Sequence, residues 1–304
     1  MNSPTVTVFI PCYNAERFIA ETIDSILNQT FRDFEVLIID DGSTDNSRSI
    51  LEHYSRKDDR IRVLFNKRNR GVGFTRNRGI REARGKYLAT MDADDIAVPF
   101  RLEKEVQFLN KHETIGIVSG GMYVIDEKGG KHRKFKNAYN SNEVKARMFF
   151  ENVIINSASM YRLDVVREHN VRYKDNFHGI EDYMFWCTLL KYTNAVILDD
   201  YLVYYRIVQN GLTSTNSRNC NSERVQCINE VHRFMLASNG IRINKWMLNY
   251  CLPRYSSSLL GEEKKYNIII YFFLLKILLQ TIRKPYFDEL KTYMICMIKL
   301  RIKK

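Results

Sequence analysis

The chain has 304 residues, and its 47 lysines and arginines against 35 acidic residues give a formal net charge of +12. Hydrophobic residues make up 45% of it, enough to bury a sizeable core, so composition excludes global disorder and the length fits one large domain or two small ones. The positive charge would suit a nucleic acid, an anionic lipid surface or a phosphorylated small molecule, and charge alone does not choose among them.

The first 120 residues alternate strand-like and helix-like patterns. Apolar, β-rich runs predict five strands, at residues 5–10, 34–39, 61–65, 86–91 and 115–119. Helical periodicity predicts helices between them; we expect Asn14 to cap the first helix, Ser43 or Thr44 to cap the second, and Pro99 to lie in the first turn of the fourth. Repeated βαβ units of this kind predict an α/β fold with a mostly parallel, Rossmann-like sheet and flanking helices.

Beyond Gly120 the pattern changes. Residues 122–126 and 131–135 flank a Gly-containing turn and predict a β-hairpin. Helices are predicted at 143–150 and 180–192 and a strand at 196–203, and the remainder reads as helix, in segments near 221–238, 241–258, 262–282 and 286–302. We therefore divide the chain into residues 1–215, with halves at 1–120 and 121–215, and a helical region at 216–304.

The C-terminal region combines an apolar helix pattern with cations. Residues 266–275 carry no charge, and residues 262–304 hold ten lysines or arginines against four acids. This stretch is too short and interrupted for a confident transmembrane span. Two interpretations stay open: a helix lying on an anionic bilayer surface, or a buried helix with a solvated basic tail.

Carboxylates gather where two predicted strands end. Asp40 and Asp41 follow the second strand, and Asp92, Asp94 and Asp95 follow the fourth. Ligands of open α/β sheets bind at this edge, and close carboxylates are costly to bring together unless a cation lies between them. The pattern predicts a divalent metal and an anionic, phosphorylated substrate.

Several segments stand in an order that resembles the nucleotide-sugar domain of the family 2, GT-A-fold glycosyltransferases. The segments are FIPCYN at 9–14, IIDDGSTD at 38–45, NRG at 69–71 with TRN at 75–77 and Gly79, and MDADD at 91–95. The resemblance is close over residues 5–120 and continues more loosely through GIEDYMFW at 179–186 and Tyr205-Arg206. Each motif alone is weak, but together in order they are specific.

This resemblance implies that nucleotide-sugar contacts come from both halves of the first domain. The implied nucleotide-sugar-binding residues are Pro11, Tyr13, Asn14, Asp41, Arg76, Asp92, Ala93 and Arg206. Within this set, Asp41 would accept the uracil N3–H. Asp94 would hold Mn²⁺ or Mg²⁺. Asp95 is expected only to cap the turn that leads to Pro99.

The resemblance also implies a catalytic base. Asp182 would take the proton of an acceptor hydroxyl as its oxygen attacks the sugar. Gly179 permits an unusual backbone just before it, and Trp186 is expected to pack rather than bind sugar. Val208 stands where the family has a histidine two positions after Arg206, which puts a metal ligand from that segment in doubt.

The resulting expectation is a metal-dependent, inverting glycosyltransferase. It would use a UDP-sugar and a saccharide or lipid-linked acceptor of surface-polysaccharide biosynthesis, and it would not bind nucleic acid. Scattered cysteines and the absence of a signal-peptide pattern predict a cytoplasmic protein, peripheral on the inner face of the membrane. The alternatives are a sugar-nucleotide nucleotidyltransferase and a non-catalytic, basic nucleic-acid-binding protein.

Overall fold

The computed structural model describes residues 3–177, 179–209, 222–242, 275–281 and 283–302. The strands within these ranges are β1 (Val6–Cys12), β2 (Phe34–Asp40), β3 (Ile61–Phe65), β4 (Tyr87–Thr90), β5 (Ile96–Ala97), β6 (Ile115–Ile125), β7 (Lys131–Phe135), β8 (Ser159–Arg162) and β9 (Asn194–Arg206). The helices are α1 (Ile19–Leu27), α2 (Ser47–Lys57), α3 (Val72–Glu82), α4 (Arg101–Lys111), α5 (Ser141–Arg147), α6 (Leu163–Glu168), α7 (Glu181–Leu189), α8 (Ser222–Ser238) and α9 (Phe287–Ile302).

The described strands form one sheet in the order β3-β2-β1-β4-β8-β6-β9-β5, and β7 pairs with the C-terminal end of β6. Pairing is parallel from β3 to β4 and between β6 and β9, and antiparallel at β8, β5 and β7. The predicted α/β fold with a mostly parallel sheet and flanking helices is therefore confirmed. The hairpin prediction is also confirmed, because Met122 of β6 pairs with Phe135 of β7.

Two apolar layers cover the faces of this sheet. Val8 and Ile10 of β1 belong to one core, and Phe9 between them belongs to the other, as the two-residue period of a strand requires. The first core includes the buried side of α1 and α4, and the second includes α7. Helices on both faces leave the carboxyl ends of β1, β2 and β4 as the edge at which a ligand can enter.

The described C-terminal helices share the second core. Leu290 and Met294 of α9 are buried, and Tyr286 donates a hydrogen bond of 2.6 Å to Asn239 Oδ1 while its ring lies 5.8 Å from that of Phe149. This part of the C-terminal region packs on the rest of the chain. The uncharged stretch 266–274 lies outside the described residues, as do 243–258 and residues 210–215 at the predicted domain boundary. No helix in the described ranges is both long enough and apolar enough to cross a bilayer.

Candidate active site

The two acidic clusters lie on either side of β1 at the same edge of the sheet. The Asp41 N–H donates 2.8 Å to the carbonyl of Cys12, the last residue of β1, and the Met91 N–H donates 3.0 Å to the carbonyl of Phe9. Strands β2 and β4 are separated only by β1, so Asp41 and Asp92 emerge about 10 Å apart. The predicted convergence of the two clusters is what the structure shows.

Asp41 anchors the loop that leads into α3. Its buried carboxylate accepts hydrogen bonds from the N–H groups of Arg70 (3.0 Å) and Gly71 (2.9 Å) and from Asn66 Nδ2 (2.6 Å). Gly71 has φ +87°, a conformation that other residues rarely adopt, and it immediately precedes the helix. Asp41 thus fixes the shape of the loop, and its bond to uracil stays a prediction.

An open cleft of about 420 Å³ borders this loop. Its lining is basic and aromatic and comprises Phe65, Asn66, Lys67, Arg68, Arg70, Phe74 and Arg78. Arg78 is held in place, because its guanidinium donates 2.6 Å to Asn66 Oδ1 and 2.9 Å to the Phe65 carbonyl. Asn66, which connects Asp41 to this cleft, was not predicted because it carries no motif signal of its own.

The segment after β1 places Tyr13 and Asn14 beside the loop after β2. Tyr13 is 47% exposed, so its ring is available to a base, although that role stays a prediction, as does the one for Pro11 in β1. Asn14 has φ +49°, and its Oδ1 accepts a hydrogen bond of 2.8 Å from the Thr44 N–H. The predicted caps were wrong: α1 begins five residues after Asn14, and neither Ser43 nor Thr44 caps α2 because both lie outside its first turn.

Asp92 is held by three side chains. Its carboxylate accepts hydrogen bonds from Arg76 (3.1 Å), Asn156 Nδ2 (3.0 Å) and Ser157 Oγ (3.0 Å). The polar pair Asn156 and Ser157, just before β8, was not predicted, because it lies more than sixty positions from Asp92. With its oxygens so engaged, the Asp92 carboxylate has a fixed orientation.

Arg76 connects the loop after β4 with the first turn of α7. This buried residue of α3 contacts Asp92 through Nη2 and, at 3.4 Å through Nη1, Oε1 of Glu181 in the first turn of α7. Burial alone would lower the pKa of Arg76, but the negative charges around it, with Asp92 foremost, raise that pKa above its ordinary value. The guanidinium therefore stays charged between two carboxylates, and its predicted contact with the nucleotide remains untested.

Asp94 presents a carboxylate that accepts no hydrogen bond from another residue in the described ranges. Burial, followed by the charge of Asp92, raises its pKa to about 6. A cation would relieve this repulsion, and hard oxygen ligands suit Mg²⁺ or Mn²⁺. Among the described residues, no group of three or more acidic, histidine or cysteine side chains is placed to hold a metal. A cation at Asp94 would therefore need further oxygen ligands from a diphosphate and water.

The neighbours of Asp94 are fixed by backbone contacts. The Ala93 carbonyl accepts a hydrogen bond of 3.0 Å from Thr22 Oγ1 in α1, which leaves the predicted sugar-nucleotide role of Ala93 untested. The expectation that Asp95 caps the turn before Pro99 was wrong. Asp95 is fully buried and accepts a hydrogen bond of 2.8 Å from the backbone N–H of Arg206, at the end of β9.

Arg206 is a buried clamp for the Asp94 loop. Its Nε donates 2.8 Å to the Asp94 carbonyl, its Nη1 reaches the Glu127 carbonyl at 3.2 Å, and its Nη2 pairs with Glu21 of α1 at 2.5 Å. The guanidinium also lies over the ring of Phe18. These contacts tie α1, the Asp94 loop and the β6–β7 turn together, and a contact of Arg206 with phosphate stays a prediction.

Asp182 lies in the first turn of α7, next to the Arg76 pair. Its carboxylate accepts hydrogen bonds from Asn152 Nδ2 (3.0 Å) and from the N–H of Tyr183 (2.8 Å). Burial raises the pKa of Asp182 to about 6. The positive charge of Arg76 opposes this rise, and the negative charge of Glu181 adds to it. A carboxyl with this pKa is mostly ionised at neutral pH and is still a usable proton acceptor.

The segment around Asp182 has the expected local structure. Gly179 has φ +74°, the unusual backbone that was predicted just before Asp182. Trp186 is completely buried and packs edge-to-face against Tyr161, which confirms a packing role. His178 lies outside the described residues.

Comparisons with known proteins give a consistent picture. The model of the family described as "Glycosyl transferase family 2" matches residues 7–169. A Haemophilus influenzae protein described as an uncharacterized glycosyltransferase is 35% identical over 80% of this chain and 77% of its own length. TuaG of Bacillus subtilis, a glycosyltransferase assigned to teichuronic acid biosynthesis, is 31% identical over 69% of this chain and 82% of its own.

Solved structures share the fold at lower identity. Residues 1–349 of Staphylococcus aureus TarS, in complex with UDP-GlcNAc, align with a TM-score of 0.64 at 19% identity, covering 95% of this chain and 90% of that one. The mannosyltransferase PcManGT from Pyrobaculum calidifontis, in complex with GDP-Man and Mn²⁺, aligns with a TM-score of 0.60 at 16% identity, covering 96% and 84%.

Proposed function

Because the chain belongs to glycosyl transferase family 2, we propose that it transfers a sugar from a UDP-sugar to a hydroxyl of a saccharide acceptor, with inversion at the anomeric carbon. The observation that carries the proposal is the chain of ion pairs Asp92–Arg76–Glu181. It connects the loop expected to hold the nucleotide sugar with the helix that carries Asp182. A donor bound at one end and an acceptor at the other would meet between them.

The donor end has the groups that a nucleotide diphosphate requires. Asp41 contacts Asn66 and Arg70, which line a cleft with four cations, Lys67, Arg68, Arg70 and Arg78. The ring of Tyr13, after β1, is exposed. Cations and aromatic faces favour an anionic ligand with a planar base. TarS, whose structure contains UDP-GlcNAc, supports uracil as that base.

The transfer step needs one proton acceptor from the chain. The acceptor oxygen attacks the anomeric carbon from the face opposite UDP and gives its proton to the Asp182 carboxylate. The bond between that carbon and the diphosphate oxygen breaks, and its electron pair leaves with UDP. Asn152 holds one Asp182 oxygen, so the carboxylate is oriented before the acceptor arrives.

A divalent cation held by Asp94 would complete the donor side. When bound, it supplies positive charge that neutralises the departing diphosphate. The unengaged Asp94 carboxylate and its raised pKa fit such a cation, and the complex of PcManGT with GDP-Man and Mn²⁺ supports it. Asp92 then orients the donor rather than serving as a free ligand, because its oxygens already accept three hydrogen bonds.

The acceptor would belong to a surface polysaccharide. The likeness to TuaG supports this class. The acceptor would be lipid-linked and met at the cytoplasmic face of the membrane, with the basic residues of 262–304 next to anionic lipid. The described helices of that region pack on the core.

The experiment compares Asp182→Asn with Asp59→Asn, a matched exposed acid in the turn after α2. UDP release is measured with UDP-GlcNAc, UDP-glucose and UDP-galactose, with GDP-mannose as a nucleotide control, in the presence of Mn²⁺. We expect Asp182→Asn to lose about 10²- to 10⁴-fold in turnover while it still binds the donor, and Asp59→Asn to behave as wild type. Unchanged turnover in Asp182→Asn would remove the proposed base. Release of pyrophosphate from UTP and a sugar phosphate would instead establish a nucleotidyltransferase.

A further inference from the structure

Outside the site just described, a stack of tyrosine rings lies on strands β6 and β9, next to the β6–β7 hairpin. Tyr123 of β6 lies between Tyr201 and Tyr204 of β9, with ring centroids 4.2 Å and 5.0 Å away and the rings nearly parallel. All three rings are half-buried. Cross-strand aromatic pairs stabilise a sheet, so the stack by itself has a structural explanation.

Stabilisation of the sheet does not require the lysine ammonium groups that lie above these rings. The Nζ atoms of Lys131 and Lys134 lie 5.5 Å and 5.4 Å from the ring centroid of Tyr123, and Nζ of Lys136 lies 5.3 Å from that of Tyr201. The three lysines thus point to one side of the hairpin. We call them, with the three tyrosines, the lysine–tyrosine surface.

A bulge in β7 creates this arrangement. Lys131 and Lys134 are three positions apart and would point to opposite faces of a regular strand. The register shifts between them: Ile125 pairs with Lys131, Val124 pairs with Arg133, and one extra residue of β7 is inserted. The extra residue brings both lysines to the same face, as β-bulges do when they redirect side chains.

The surface is positive and mostly unneutralised. Lys136 pairs with Asp199 at 3.1 Å, and His132 with Asp126 at 3.2 Å, but Lys131, Arg133 and Lys134 have no carboxylate within 4 Å in the ranges that the structure describes. Residues 131–135 are all exposed. Lysines on an edge strand also prevent edge-to-edge pairing, but that role does not need several of them gathered over one aromatic stack.

The surface lies close to the proposed donor site. Tyr204 precedes the Arg206 clamp by two residues, about 7 Å along β9, and Arg206 contacts the Asp94 carbonyl. Strand β7 forms a strip about 17 Å long. A linear, extended anion would therefore contact several cations at once while one of its ends approaches the Asp94 loop.

We propose that the lysine–tyrosine surface binds an acidic saccharide chain, whose carboxylates or phosphates pair with Lys131, Lys134 and Lys136. This inference rests on the proposed function and names its acceptor class: the growing chain is polyanionic. A bilayer is the less favoured occupant, because peripheral helices and loops insert apolar side chains. Here the tyrosine faces lie beneath ammonium groups, and Phe135 lies beneath the guanidinium of Arg133 at 4.8 Å.

The test uses oligogalacturonate of about ten sugars as the acidic probe and a malto-oligosaccharide of equal length as the neutral one. The variant Lys131→Gln, Lys134→Gln, Lys136→Gln is compared with a control that loses the same charge elsewhere. The control carries substitutions at three exposed cations: Arg56→Gln, Lys57→Gln and Lys111→Gln. Binding to the 304-residue chain is measured by calorimetry, and thermal midpoints verify that both variants fold.

We expect the wild-type protein to bind the acidic chain and not the neutral one, and the hairpin variant to lose about tenfold or more in affinity. The control should lose less than about threefold. Equal losses in both variants, or equal binding of both saccharides, would overturn the proposal. So would a hairpin variant that loses affinity for phosphatidylglycerol vesicles and none for the saccharide.

The outcome is separable from that of the Asp182 experiment. Saccharide binding is measured without a donor, so loss of binding in the hairpin variant, together with unchanged turnover in Asp182→Asn, would keep the surface and refute the transferase mechanism. Normal saccharide binding in the hairpin variant, together with lost turnover in Asp182→Asn, would refute the surface and keep the mechanism.

Discussion

Replacing Asp182 by asparagine should make the protein more stable near neutral pH while it removes transfer. The pKa of Asp182 is raised from 3.8 to about 6, foremost by burial. A carboxyl that is harder to ionise in the folded chain than in the unfolded chain lowers the free energy of unfolding once the pH exceeds both values. A neutral side chain at this position removes that cost, so the proposed base would be retained for function at the expense of stability.

The size of the effect follows from two opposing contributions. A shift of about two pH units corresponds to about 3 kcal/mol above pH 6. The carboxylate accepts one hydrogen bond at each oxygen, from Asn152 and from the N–H of Tyr183. Asparagine has only one acceptor oxygen, so one of these bonds is lost, at a cost of about 1 kcal/mol. The expected net gain is about 2 kcal/mol.

Urea unfolding of wild type and Asp182→Asn at several pH values measures this difference. The folded-state pKa is the higher one, so the cost of the native carboxylate is absent below pH 3.8 and complete above about pH 6. The advantage of the variant should therefore be largest at pH 7.5 and shrink at pH 4.5, while Asp59→Asn stays close to wild type throughout. An Asp182→Asn protein that is no more stable than wild type at pH 7.5, or whose gain is the same at both pH values, would contradict the reasoning.

Three further outcomes are expected. The transfer rate should fall about tenfold for each pH unit below about 6 and be level above it, because only ionised Asp182 accepts a proton; a flat rate profile between pH 5 and 7 would exclude it as the base. Asp94→Asn should lower UDP release about tenfold or more at limiting Mn²⁺ and weaken the Mn²⁺-induced rise in thermal midpoint; an unaltered Mn²⁺ titration would show that the cation lies elsewhere. Arg76→Met should cost about 3–5 kcal/mol in urea unfolding, because Asp92 and Glu181 are left without their shared cation, and adding Glu181→Gln should restore part of the loss; strictly additive losses would deny that the pair interacts.

The fold was predictable where local pattern determines structure. Runs such as residues 34–39 are buried along their whole length, and such runs between helical stretches predict a parallel sheet. Strands β5 and β8 were missed because neither carries a periodic signal, and β5 is only two residues long. The position of β8 between β4 and β6 depends on tertiary packing, and nothing within Ser159–Arg162 specifies which strands it pairs with.

The site was predictable to the same extent. The gathering of Asp41, Asp92 and Asp94 follows from the rule that parallel strands end at one edge. The partners of these acids were not predictable, because Asn156 and Arg206 come from segments 64 and 112 positions away. The helix-cap predictions were wrong for a related reason. Asn14 and Thr44 form a hydrogen bond with each other across two loops instead of capping the helices that follow them.

The Arg206 clamp has a consequence for synthesis of the chain on the ribosome. Glu21 and Arg206 are separated by 185 positions, and the Asp94 loop is fastened between them. Until the codon for Arg206 has been translated and the residue has left the exit tunnel, the segment resembling the donor half of the enzyme lacks its last tether. Such long-range contacts form late. Premature termination in the β9 coding region should therefore yield a fragment that contains every aspartate expected to hold the donor. We expect this fragment not to bind a nucleotide sugar.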